Sequence, residues 1–176
     1  SEWDKYSKTL TDKSKAEINN EKKNWFNHKA KKFYKKDTFN FIVETIGIFT
    51  SIEIIKKACD ILVDKLTVVD ELFINQDNLI KKFNSTIPNC FNITLLNEDY
   101  TIGKIIENIL FEDYYKNGSE LSYVGFIKSH PHNKNSLIRI AFEDPDSANV
   151  DSIKTILNYS ITQCKNIINN INESFG

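Results

Sequence analysis

The chain holds 176 residues, 40% apolar and 27% charged, with a formal net charge of −1. That is length for one ordinary domain or two small ones, and a globular composition rather than a disordered one. No apolar run approaches the roughly 20 residues of a membrane-spanning helix, and early Asp and Lys stand where a signal peptide would have an apolar core, so no membrane partner is expected. Three scattered cysteines, Cys59, Cys90 and Cys164, form no CxxC pair, which points to free thiols in a reducing, intracellular compartment.

Charge is unevenly placed. Residues 1–37 carry 11 Lys against 6 Asp and Glu, a local excess of +5 that the remainder offsets with −6. Such a segment reads either as a solvated lysine-rich helix or as a nucleic-acid contact. Residues 1–13 read as a frayed start. Ser14 and Glu17 have capping-box spacing, and a connector helix is expected to run from there toward Tyr34, with Phe26, Ala30, Phe33 and Tyr34 on one side.

Phe39–Val43 is β-rich and reads as a strand that ends at Ile46-Gly47. Thr50 and Glu53 make a second capping box, opening a long helix to about Phe73. Along it Ile55, Ala58, Leu62, Leu66, Val69 and Phe73 recur at alternating three- and four-residue steps, a coiled-coil-like seam. Residues 77–88 read as a polar linker. Phe91, Ile93 and Leu95 alternate with polar residues, a strand with one buried face.

Asn97–Phe111, NEDYTIGKIIENILF, comes next. Thr101 suits the N-cap, Asp99 adds negative charge at the positive helix end, and Ile102, Ile105, Ile106, Ile109 and Leu110 fall on one face. Gly103 costs helix propensity, so its use is expected to be close packing. Leu121–Ile127 and Leu137–Phe142, joined by KSHPHNKN, read as a hairpin. The last helix spans about 148–172, with a seam of Val150, Ile153, Leu157, Ile161, Cys164, Ile168 and Ile171.

The fold class is therefore α+β in two layers. Residues 89–173 form a β-α-β-β-α unit, and residues 38–76 a half-unit of strand plus long helix. The two long helices are expected to bury their seams against each other. The half-unit, lacking a front strand and helix, would leave a sheet edge and an apolar helix face open.

Little in the sequence points to chemistry. His130 and His132 form HxH, either two ligands or a polar loop tip, and no third ligand stands at metal spacing. Glu98 and Asp99 are better explained by capping than by acid-base work. Cys59 and Cys164 sit on the seams as packed thiols. Arg139 lies mid-strand, either on an exposed face or facing a partner's carboxylate. No phosphate loop is present.

FNFIVETIGIFTSIEIIKKACDILVDKL resembles the C-terminal end of the third-largest subunit of eukaryotic RNA polymerase II and of its archaeal counterpart. NEDYTIGKIIENILF followed by YVGFIKSHPHNKNSLIRIAF resembles the eleventh subunit and the archaeal counterpart of that. The segment Glu98, Asp99, Tyr100, Thr101, Ile102, Gly103 matches the stretch that opens the family's first helix, and His130-Pro131 matches its inter-strand His-Pro. The fused order is similar to the joined third-plus-eleventh subunits of large nucleocytoplasmic DNA viruses.

This resemblance to the RNA polymerase alpha-like dimerisation family implies a non-catalytic assembly subunit of a DNA-directed RNA polymerase, a nucleotidyltransferase complex. It implies no catalytic residue, cofactor or metal in this chain, the Mg of such a polymerase lying in its large subunit. Expected partners are the large catalytic and small polymerase subunits, with DNA contacted only indirectly. The N-terminal half of the third-subunit-like domain is expected on a longer or separate chain. A viral protein of this kind would act in the host cytoplasm or nucleus, or in the virion. The other reading is an unrelated α/β interaction module whose basic segment 1–37 touches nucleic acid.

Overall fold

A computed structural model describes residues 2–11, 13–34 and 38–176. The chain divides into two compact units, Ser1–Val43 and Glu44–Gly176. Residues 38–76 and 89–173, expected as separate modules, mostly fall in the second unit, where the long helix after Thr50 and the later elements share one core.

The first unit is helical. Helix α1 spans Glu2–Ser7 within the stretch expected to be frayed, and α2 spans Lys15–Asn24. The Ser14–Glu17 capping box forms: the Glu17 amide donates to Ser14 Oγ, and the Ser14 amide donates to the Glu17 carboxylate. The expected continuation toward Tyr34 is not α-helical. It widens into a π turn over Trp25–Lys29 and tightens into a 3-10 turn over Ala30–Lys32. Residues 35–37, at the expected end of this segment, lie outside the described residues.

Phe39–Val43 does not form a strand; Phe39, Phe41 and Ile42 are strongly exposed. High β propensity reflects fit to a pleated, half-buried surface, and this segment takes part in no ladder of the sheet. Gly47 turns the chain at φ +94°, a conformation open to glycine. Helix α3 then spans Ser51–Asn75 behind the Thr50–Glu53 capping box. The Thr50 amide and hydroxyl hold the Glu53 carboxyl below its usual range.

The sheet has four antiparallel strands in the order β1-β2-β4-β3, with β1 Ile80–Lys82, β2 Cys90–Leu95, β3 Leu121–Ile127 and β4 Ser136–Phe142. Strand β1 and a 3-10 turn at Asp77–Leu79 occupy the segment expected to be a linker, and Leu79 and Ile80 are buried. The register sets Ile93 opposite Ile138, Phe91 opposite Ile140 and Val124 opposite Ile140, so the apolar alternation lines one face.

Helix α4, Tyr100–Ile109, runs on as a π turn to Lys116, and α5 spans Val150–Ser174. The core gathers Ile93, Leu95, Ile102, Ile106, Ile138, Ile140, Leu157 and Ile161 at full burial. Helices α3 and α5 pack along each other, as their matched stripes predict.

Candidate assembly surface

The two long helices meet through more than their stripes. On α3 the buried positions are Cys59, Leu66, Val69 and Phe73, with Ile55 and Leu62 half-buried. Ala58, expected in the seam, is exposed; Cys59, one position on, takes its place. Steps of four and three both fit a helical stripe, and only packing decides between neighbours. On α5 the buried face is broader than a seam: Ile153, Ile156, Leu157, Ser160, Ile161, Cys164 and Ile168. Ile171, expected inside, is 46% exposed.

Polar side chains fasten the rims of this pair. Asn158 Nδ2 donates to Asp70 at 3.1 Å and Asn172 Nδ2 to Asp60 at 2.9 Å. Lys165 lies 3.6 Å from Asp70, both largely covered, and Lys154 caps the end of α3 by donating to the Ile74 carbonyl at 3.1 Å. None of these partners is readable from either helix alone.

At the start of α4 the structure revises the expected cap. Asp99, not Thr101, is the N-cap: its Oδ1 accepts from the Tyr100 amide at 2.8 Å. Asp and Thr both suit that role, and with two candidates two residues apart the sequence does not choose. Asp99 also lies 3.5 Å from Lys128, whose side chain is only 4% exposed. Glu98 precedes the cap and ties three elements together. Its carboxylate accepts from Lys65 of α3 at 3.0 Å, and its carbonyl accepts from Ser136 of β4 at 2.9 Å. Tyr100 projects outward against the Phe126 ring, and Thr101 is exposed.

Gly103 is a packing residue, as expected. A Cβ there would sit 2.0 Å from the Phe126 ring of β3. His130 and Pro131 lie in the exposed loop between β3 and β4, where His130 Nδ1 accepts from the His132 amide. Among the described residues no group of three His, Cys, Asp or Glu side chains could hold a metal. Arg139 donates to Asn92 Oδ1 at 2.8 Å and lies 3.9 Å over the Phe83 ring, so its partners are an amide and a ring.

An apolar groove of about 680 Å³ opens between α3, α4 and α5, lined by Leu62, Ile105, Ile109, Cys164, Ile168 and Ile171. Burial pushes the Cys164 thiol up to about 12, so it is a neutral packing group that donates weakly to the Ile105 carbonyl. Burial also raises the Cys90 thiol, against the opposing pull of Arg139. No thiol is paired in a disulfide.

A second apolar stripe runs along the outer side of α3, where Ile54, Ala58, Ile61 and Val68 are all exposed. Phe39, Phe41 and Ile42 are exposed in the first unit, and Ile46 and Ile48 in the second. No helix is long and apolar enough to cross a membrane among the described residues. No protein-family model matches the chain, and no curated protein matches it either.

Proposed function

We propose that the chain is a non-catalytic assembly component of a DNA-directed RNA polymerase built from many subunits, on which the large catalytic subunits gather. The observation that carries this reading is the outer stripe of α3, with Ile61 53% and Val68 56% exposed. Exposed Lys65 shares this side of the helix, so the stripe is apolar with one cation in it, and a monomer that finished its own fold would rarely leave it in water. The face suits a partner helix, and the N-terminal half of a third-subunit-like domain, on a longer or separate chain, is the occupant that the sequence resemblance supplies. The corner at Glu98 and Asp99 supports an architectural role, since both carboxylates are occupied in holding Lys65, Lys128 and a helix end.

The test is recovery of the tagged chain from its own cells. The large polymerase subunits should co-purify with it, and Ile61→Asp with Val68→Asp should abolish that recovery while the chain stays folded. Glu98→Lys should lower incorporation, and the complexes that do assemble should keep their rate of nucleotide addition. Recovery without any large polymerase subunit would sink the proposal and leave the unrelated interaction module as the reading.

A further inference from the structure

We propose that the first unit binds single-stranded nucleic acid, through an aromatic platform rimmed by lysines. This does not rest on the polymerase reading. Residues 22–36, KKNWFNHKAKKFYKK, hold seven Lys, one His, four aromatic residues and no carboxylate. The structure gathers three of those rings, Trp25, Phe26 and Phe33, into one cluster around Trp25. Trp25 is 7% exposed and fixed by an edge contact with Trp3 and a parallel stack with Phe33, centroids 5.8 Å apart and planes 21° apart. Phe33 and Phe26 remain 57% and 50% exposed, so each keeps an open ring face on a rigid base.

The cluster stands on the π turn Trp25–Lys29, where Trp25 is buried and Phe26 and Lys29 are exposed. Lys29 Nζ lies 4.3 Å over the Tyr6 ring. A depression of about 480 Å³ has Tyr6, Trp25 and Phe33 as its walls, Lys29 and Lys32 on its rim, and the Glu2–Lys5 pair along one side. Lys22, Lys23, Lys29, Lys31 and Lys32 are exposed, and none pairs with a carboxylate among the described residues.

Flat open rings flanked by exposed cations suit a strand whose bases are unstacked and whose phosphates run alongside. Aromatic stacking takes any base, and the lysines neutralise the backbone. A duplex hides its base faces from such a platform. An anionic membrane would call for an aliphatic face, and α2 has one large aliphatic residue, Ile18. An acidic peptide would use the lysines and leave the rings idle.

The chain's two tryptophans, Trp3 and Trp25, both belong to this cluster, so intrinsic emission of the full protein reports on this site. We expect that emission to be quenched on titration with oligothymidylate or oligouridylate of about 16 nucleotides, the upper end of a compact single-strand site. The Kd should rise steeply with salt. Phe33→Ala should weaken binding roughly five-fold or more, the loss of one stacked base. Replacing Lys29, Lys31 and Lys32 together by Ala should shrink the slope of log affinity against log salt by about 2. All these side chains are exposed, and the far-UV circular dichroism of each variant should match the parent. Failure of both single strands to bind would overturn the proposal. So would tighter binding to the matched duplex or to vesicles of mixed zwitterionic and anionic phospholipid, or affinity that neither variant changes.

Discussion

Helices α3 and α5 are each 25 residues long. Each begins at a side-chain cap, the Thr50–Glu53 box in one and Asn149, accepting from the Ser152 amide, in the other. They differ in what they lie on. Helix α5 is held between the α4–sheet layer and α3, and buries seven residues. Helix α3 packs along α5, touches α4 more lightly and buries four, leaving Ile52, Ile54, Ile61, Val68 and Ile74 in water, where α5 leaves Tyr159, Ile167 and Ile171. Apolar content alone therefore says little about burial; the number of faces with a neighbour decides it.

The largest test of this contrast places a charge on each helix. Leu157→Asp on α5 buries an unpaired carboxylate at a position with no exposure, and should cost several kcal/mol and unfold the second unit. Ile61→Asp on α3 meets water and should change stability by no more than about 0.5 kcal/mol. Circular dichroism melting of both variants checks this, and comparable losses would mean that the outer stripe of α3 is not open.

Next in size is the contact beneath α4. Gly103→Leu should cost about 1–3 kcal/mol although leucine is the better helix former, because the Phe126 ring occupies the space of its Cβ. Phe126→Ala should recover part of that loss in a double-mutant cycle by urea denaturation. Strict additivity of the two would show that the ring is not the obstacle.

A smaller effect separates the two cap candidates. Asp99→Ala should cost about 1–2 kcal/mol by removing the cap, whereas Thr101→Ala should stay within about 0.5 kcal/mol. The reverse order would return the cap to Thr101.

A separate effect is set by pH. The Cys164 thiol is raised in the folded state, so its contribution to stability is fully present below pH 9 and is lost as pH rises toward about 12. Burial raises Tyr114 in the same direction, also to about 12. The difference between parent and Cys164→Ala across this window isolates the thiol. Parallel curves would mean that Cys164 ionises as freely in the fold as outside it.

Much of the fold was legible because its signals are local. Both capping boxes form where Ser14–Glu17 and Thr50–Glu53 are spaced for them, and the stripes of α3 and α5 reflect their period. The hairpin follows from two β-rich runs around a Pro- and Asn-containing loop. What was missed depends on partners. Phe39–Val43 has the composition of a strand but no ladder to join. Ile80–Lys82, with one apolar residue in three, becomes a strand because β2 offers it an edge. Lys65, Lys128 and Phe126 carry no local mark, and their roles arise only when distant elements meet.

The sheet's two margins bear on how the protein can grow into something larger. One margin is β1, three residues long and carrying exposed Lys81 and Lys82. The other is β3, where the Phe126 amide points away from its neighbour strand and donates to Glu107 Oε1 at 3.1 Å. Lys104 holds the other oxygen of that carboxylate at 2.6 Å. Short, cationic or already satisfied margins resist the lateral stacking that leads to fibrils. A chain so rich in exposed isoleucine and phenylalanine thereby has some protection from amyloid-like growth at its sheet margins.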